Sequence, residues 1–119
     1  MLLINRLAAW ATLMVIVVLT VVPPDLRPET AVPHGIEHAS IFLMAGFLFG
    51  TAYIGREWIL SAGAIFFCAA IEAVQLYIPG RHARVSDFVV DTAAAVAGVF
   101  VGAFARRMGA ELPDLLKKP

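Results

Sequence analysis

The sequence predicts an all-α membrane protein, an antiparallel bundle of four transmembrane helices. Two observations lead to this fold class. Of the 119 residues, 61% are hydrophobic and only 15% are charged, which is more apolar and less charged than an ordinary soluble domain. The apolar residues also fall into four runs, each close to the about 20 residues that cross a bilayer as a helix. We therefore expect a single membrane domain over residues 1–119.

Turn signals and polar residues set the boundaries of the four predicted spans. The first closes at a double proline, residues 23–24, and the third closes at a Pro-Gly pair, residues 79–80. A short link, residues 55–57, joins the second span to the third as a tight antiparallel hairpin. A double arginine at residues 106–107 ends the fourth span, and we expect the tail to be a surface segment. The spans cover about residues 7–22, 39–54, 58–78 and 87–105, followed by the tail 106–119.

The first apolar run has a second interpretation as a signal peptide, because Asn5 and Arg6 precede a short apolar core. Since no A-x-A cleavage pattern follows this core, we favour a retained transmembrane helix. Four spans then place both chain termini on the same side of the membrane.

The lysine and arginine residues near the span ends predict the orientation, because cytoplasmic loops carry an excess of them. The excess falls on the side of the termini, so we expect both termini to be cytoplasmic. The loops of residues 23–37 and 79–86 then face outward. The side of the termini carries Arg6, Arg56, Arg106, Arg107, Lys117 and Lys118, and the other side carries Arg27, Arg81 and Arg84.

Small residues at helical spacing predict where the helices touch. Gly46 and Gly50 form a G-x-x-x-G pair on the second span, and Ala94, Gly98 and Gly102 continue the same spacing on the fourth. Lipid supplies no hydrophobic drive between helices, so close backbone approach at such residues is a main source of packing. These faces could form a bundle within one chain or a homo-oligomer, and we favour the bundle.

Polar residues inside the apolar spans identify a candidate site, because an ionised group at the centre of a membrane helix costs about 2.5–3.5 kcal/mol. Glu72 and Gln75 share one face of the third span, and Asp87 and Asp91 share one face at the start of the fourth. His38 opens the second span. In an antiparallel bundle these five residues reach a similar depth, at the outer membrane face.

Arg81 and Arg84 lie in the loop above these polar residues, which favours a water-accessible pocket at that face. The alternative is a structural salt-bridge cluster that only fixes the helix register. His34 and His38 have the spacing of zinc ligands on a helix, but the neighbouring proline and Gly35 make a helix there uncertain. We therefore expect no metal site.

Charge and cysteine content exclude several other functions. Nine basic and nine acidic residues cancel, so no overall field attracts nucleic acid. Cys68 is the one cysteine, which rules out an internal disulfide or a cysteine metal cluster, and we interpret it as a packing residue. Because the sequence contains no P-loop, zinc or dinucleotide signature, we expect no cofactor.

A set of polar and small residues at defined spacing runs through the last three spans. It consists of E-A-V-Q from Glu72, P-G-R at residues 79–81, S-D at residues 86–87, Asp91 ahead of Gly98, and His38 one turn before Phe42. This set resembles the signature of the VanZ-like family, and the resemblance covers about residues 35–102.

The resemblance implies a four- or five-helix protein of the bacterial inner membrane, connected through its founding member with low-level resistance to the glycopeptide teicoplanin. Two positions depart from the family pattern. Asp91 stands where the family commonly has asparagine, and residues 34–35 replace a frequent Asp-Lys pair. The site residues that the resemblance carries over are Glu72, Gln75, Arg81, Asp87 and His38.

Three functions fit these predictions. The first is a binding or enzymatic module for a lipid-linked or cell-envelope anion, which arginine suits because its planar guanidinium matches phosphate and carboxylate. The others are a small proton-coupled carrier and a structural scaffold for other membrane proteins. For the first function, the acid/base candidates are Glu72, His38 and Asp87, and the substrate-binding candidates are Arg81, Arg84, Gln75 and Asp91.

Overall fold

The computed structural model describes residues 1–23, 26, 34–80 and 84–115, and this part of the chain contains four helices. All four are long and apolar enough to cross a membrane, which confirms the predicted fold class. Their outward faces carry many exposed large apolar side chains, as expected for contact with a lipid bilayer. The helices are α1 (Leu2–Val21), α2 (His34–Ala52), α3 (Glu57–Gln75) and α4 (Val85–Leu115).

The fourth helix continues past residue 105, where the sequence predicts the end of the fourth membrane span. α4 has 31 residues and continues through Arg106 and Arg107 to Leu115. Arginine is a good helix former, so a pair of arginines can end the apolar span without ending the helix. At 1.5 Å per residue α4 is about 46 Å long, well beyond the ~30 Å of a hydrocarbon core.

The other helix boundaries differ from the sequence prediction by a few residues. α1 begins at Leu2 because the apolar residues before Asn5 join the helix. α2 begins at His34 and includes Gly35, where the sequence left a helix uncertain. α3 ends at Gln75, and the chain then turns to Gly80, whose φ of 80° is readily adopted only by glycine.

The helices form a ring in the order α1, α2, α4, α3, in which each contacts its two neighbours. The predicted hairpin of the second and third spans is therefore loose. α2 and α3 follow each other in the chain but contact little, and α2 instead packs most extensively on α4. Because the chain crosses back once between them, through α3, α2 and α4 run parallel.

Four glycines bring the backbones of α2 and α4 together, and we call Gly46, Gly50, Gly98 and Gly102 the glycine seam. A Cβ on any of the four would collide with a backbone carbonyl oxygen of the opposite helix. The small-residue faces therefore pack against each other within one chain, as the sequence analysis favoured. The colliding oxygens belong to Ala95, Val99, Leu43 and Phe47, in the order of the glycines.

A small core fills the bundle beside the seam. Ile16 of α1, Phe42 of α2 and Ile71 of α3 meet there with Cys68, which is almost completely buried. The position of Cys68 agrees with its predicted role as a packing residue. All four helices contribute to this core, since α4 adds Ala95.

The end of the bundle near residue 57 is held by an ion-pair group that the sequence analysis missed. Glu57 Oε1 accepts from Nη2 of Arg106 at 3.5 Å and from Nη2 of Arg107 at 3.3 Å. The Glu57 and Arg106 side chains are only 10% and 18% exposed, whereas Arg107 is 66% exposed. These contacts tie the start of α3 to α4, and we call this end of the bundle the basic end.

Polar contacts of α1 with the end of α2 and with Tyr53, the residue after α2, close the same end. The indole N–H of Trp10 donates to the Tyr53 hydroxyl at 3.0 Å, and the Asn5 amide donates to the Thr51 hydroxyl at 3.4 Å. The Arg6 guanidinium lies 5.0 Å from the centre of the Tyr53 ring. Such contacts suit the interface between lipid and water, where aromatic rings have one apolar and one polar side.

Replacing Gly98 with alanine should destabilise the bundle by about 1–3 kcal/mol, because the new Cβ has to displace the Leu43 carbonyl. The matched control is Gly63→Ala on α3, where a Cβ would meet nothing within 4 Å. It should be neutral or stabilising by up to about 1 kcal/mol through helix propensity. Unfolding by sodium dodecyl sulfate in mixed micelles, followed by circular dichroism, measures both. Equal effects of the two substitutions would contradict the seam.

Two adjacent arginines offer a second comparison. Arg106→Gln should lower stability, because its contact with Glu57 joins two side chains that are only 18% and 10% exposed. Arg107→Gln should lower stability less than Arg106→Gln does, since the Arg107 side chain is mostly exposed. The same unfolding assay applies, and a larger loss at Arg107 would refute this description of the basic end.

Candidate functional site

The directions of the helices gather the predicted polar residues at the end opposite the basic end. α2 and α4 run parallel, so both begin at this end, and α3 runs the other way and finishes there. We call this end the polar end. The residues that we call the polar cluster are His38, Glu72, Gln75, Asp87 and Asp91, all of which the sequence predicted.

A polar contact between α2 and α4 at the polar end joins His38 to Asp91. His38 Nδ1 lies 3.4 Å from Asp91 Oδ2, with side chains 19% and 4% exposed respectively. Asp91 Oδ1 is buried and has no hydrogen-bond partner among the residues that the structure describes. A buried carboxylate needs partners for both oxygens, so Asp91 is placed where a further polar group would be favourable.

The Glu72 carboxylate is held by Arg84, a residue to which the sequence analysis had given another role. The backbone N–H of Arg84 donates to Glu72 Oε2 at 3.1 Å. The sequence analysis assigned the Arg84 guanidinium to an anionic substrate, whereas this contact uses the main chain. Arg84 itself is exposed, so its side chain points away from the bundle core, and its substrate role stays a prediction.

Asp87 occupies the first turn of α4, next to Glu72 in space. The Ser86 hydroxyl donates to Asp87 Oδ1 at 3.3 Å. Asp87, Asp91 and His38 all lie close enough to Glu72 to interact with its charge. Three acids and one histidine therefore form one electrostatically connected group.

The outcomes for two further predicted site residues, Gln75 and Arg81, differ from each other. Gln75 is buried at the last position of α3, three residues after Glu72, which agrees with its predicted place beside that carboxyl group. Arg81 lies outside the described residues, so its predicted position above the cluster stays a prediction. The His34 side chain is likewise outside the described part of the chain.

The sequence analysis also missed one residue beside the polar cluster. Thr92 follows Asp91 and lies against the Cys68 thiol, which connects the site with the core. A hydroxyl residue next to an acid within an apolar run was the signal that could have marked it. Among the described residues, no group of three or more histidine, cysteine, aspartate or glutamate side chains could hold a metal ion.

This fold and this cluster define a small multi-pass membrane protein with one polar and one basic end. The family model described as VanZ/LLP1 matches residues 3–106, and the chain belongs to this family. The family match confirms the resemblance that the spacing of the polar residues indicated. Comparison with curated proteins and with solved structures gave no match.

The contact between His38 and Asp91 should appear as an energetic coupling. In a double-mutant cycle of His38→Ala and Asp91→Ala, we expect a coupling of about 0.5–2 kcal/mol, because the two side chains touch and are shielded from water. Detergent unfolding measures the four proteins of the cycle. A control cycle pairs Asp91→Ala with Thr51→Ala at the opposite end, where the effects should add within about 0.5 kcal/mol. Additivity in both cycles would argue against the contact.

Proposed function

We propose that this chain is a VanZ-like protein of the bacterial inner membrane that binds an anionic lipid-linked or cell-envelope molecule at its polar end. The observation that carries the proposal is the convergence of His38, Glu72, Asp87 and Asp91 at one end of an otherwise apolar bundle. Ionisable groups are costly in membrane helices and usually mark a functional site. The VanZ/LLP1 family match supports the general class.

The polar end has to supply positive charge if it is to hold an anion beside three carboxylates. Arg84 is exposed there, and Arg81 is expected in the same loop. The parallel helices α2 and α4 both begin at this end, so the positive ends of two helix dipoles point toward the ligand. We propose that the arginines bind the head group and that Gln75 and Asp91 contact its hydroxyl or amide groups.

The acids and the histidine provide proton donors and acceptors beside that head group. Asp91 can hold the His38 imidazole in one orientation through Nδ1. Glu72, fixed by the Arg84 amide, and Asp87 are the other candidates for acid or base. Binding alone requires none of these proton transfers. The arginines would therefore recognise the ligand, and the acids and the histidine would carry out any chemistry on it.

We propose that both termini and the basic end face the cytoplasm, so that the polar end faces outward. Arg6, Arg106 and Arg107 cluster at the basic end, as the positive-inside rule requires of the cytoplasmic side. The polar end would then be reached by molecules of the outer leaflet and the cell wall.

A second candidate is a proton-coupled carrier, which the partly buried Asp91–His38 pair favours because such pairs occur in proton relays. Four helices provide little room for alternating access, so the carrier would need to be a homo-oligomer. A pH-gradient-dependent flux in proteoliposomes would support it. The scaffold alternative loses its main support, because the glycine faces pack within the chain.

Glycopeptide susceptibility of a sensitive bacterial host tests the proposed function. Wild-type protein should raise the inhibitory concentration of teicoplanin, and Glu72→Gln should return it to the vector level, because Glu72 belongs to the site. The control is Glu57→Gln, the other glutamate of α3, which lies at the basic end and should retain resistance. Membrane levels are matched by immunoblot.

The outcomes of this assay separate two claims. No shift with wild-type protein would remove glycopeptide resistance from the proposal. Resistance that persists in Glu72→Gln would remove Glu72 from the site.

A further inference from the structure

The basic end carries more positive charge than the acids near it can balance. Among the side chains that the structure describes there, four arginines accompany two glutamates, Glu57 and Glu111. The hydrogen bonds from Arg106 and Arg107 both go to one oxygen of Glu57, Oε1. Arg106 Nη1 is buried without a hydrogen-bond partner in the described part of the chain. An excess of cationic donors therefore remains. The four arginines are Arg6, Arg56, Arg106 and Arg107.

Arginines from α1 and α4 stand at the same level along the bundle. On the glycine seam, a Cβ at Gly50 would lie 3.0 Å from the backbone nitrogen of Ala103, so these two residues have a similar depth. Three residues further along the two parallel segments come Tyr53 and Arg106. The Arg6 guanidinium lies 5.0 Å from the centre of the Tyr53 ring. Arg6 and Arg106 are thus brought to one level from different helices.

This level coincides with the surface of the bilayer. Arg106 follows Asp87, in the first turn of α4, by nineteen residues, which is about 28 Å at 1.5 Å per residue. A hydrocarbon core is ~30 Å thick, so a bilayer with one surface at Asp87 has its other surface at Arg106. Trp10 and Trp58 are 55% and 80% exposed at the same end, as is typical of tryptophan at the interface between lipid and water.

The arginines at this surface are open to a ligand. Arg6, Arg56 and Arg107 are exposed residues, and Arg106 stands behind them with a free nitrogen. A guanidinium group matches a phosphate group in shape and charge. Since lipid phosphates lie at the same depth, they are the anions that these side chains meet first. Acidic lipids suit an excess of cations best, because zwitterionic lipids bring a cation of their own.

We propose that the arginines of the basic end bind the phosphate groups of acidic phospholipids in the leaflet at that end. This site is separate from the ligand site at the polar end and does not depend on the proposed function. It gives the basic end a binding role in addition to the ion pairs that join α3 to α4.

Tryptophan quenching by brominated lipids tests the inference. Trp10 and Trp58 are the two tryptophans of the chain, so its tryptophan fluorescence reports on the lipids around the basic end. The full chain is reconstituted in phosphatidylcholine vesicles, in which a rising fraction of the lipid is dibrominated phosphatidylglycerol or dibrominated phosphatidylcholine. We expect the acidic lipid to bind about two- to fivefold more strongly. Equal quenching by the two lipids would overturn the inference.

A charge-matched pair of double variants tests whether the arginines are responsible. Arg6→Gln with Arg107→Gln removes two exposed charges and should bring the ratio of the two binding constants close to one. Arg6→Lys with Arg107→Lys retains the charges and should retain most of the preference. Circular dichroism checks that both variants remain helical. An unchanged preference in the glutamine variant, or an equal loss in both variants, would contradict the proposed site.

A salt comparison on the unmodified protein distinguishes a lipid from a soluble phosphate. Potassium chloride should weaken the preference for phosphatidylglycerol, because salt screens exposed charges. Potassium phosphate at the same ionic strength should weaken it equally. A preference that resists both salts would rule out charge as its cause. A preference that only potassium phosphate abolishes would reassign the site to soluble phosphate and overturn the lipid.

Discussion

The close approach of α2 and α4 is the constraint on which the rest of the structure depends. Four glycines allow the two backbones to touch, and any side chain at these positions would collide with a carbonyl oxygen. In lipid this contact replaces the hydrophobic effect as the reason for helices to associate. Because the two helices run parallel, the seam also aligns their first turns, and with them His38 and Asp91.

The two ends of the bundle use charge in different ways. At the basic end, Glu57 is matched by two arginines, and aromatic and amide contacts join α1 to α2. At the polar end, acids outnumber the cations that the described residues bring near them, and one carboxylate oxygen of Asp91 is buried without a partner in that part of the chain. The basic end also has a buried polar atom without a hydrogen-bond partner among the described residues, Arg106 Nη1, so the two ends differ in the sign of their excess charge.

Hydropathy predicted the four helices, because the length needed to cross a bilayer leaves a clear pattern in the sequence. The positions of Glu72, Asp87, Asp91 and His38 near helix ends were enough to predict that they would meet. The partner of each helix was harder to predict. The G-x-x-x-G spacing marks a contact face on α2, but it does not tell which helix fills that face, and the short link to α3 pointed to the wrong neighbour.

Other features depend on three-dimensional detail that residue types do not encode. The contact of Arg84 with Glu72 runs through a backbone N–H, so any residue except proline could make it, and no sequence signal marks it. The pairing of Glu57 with Arg106 joins residues 49 positions apart.

The central claim is that the glycine seam holds His38 against Asp91. Solid-state NMR in lipid bilayers can measure the dipolar coupling between the ¹⁵N-labelled His38 ring and the ¹³C-labelled Asp91 carboxyl carbon. We expect a clear coupling in the wild type, since Nδ1 and Oδ2 lie 3.4 Å apart, and a much weaker one in Gly98→Ala. No coupling in the wild type, or an unchanged coupling in Gly98→Ala, would contradict the claim.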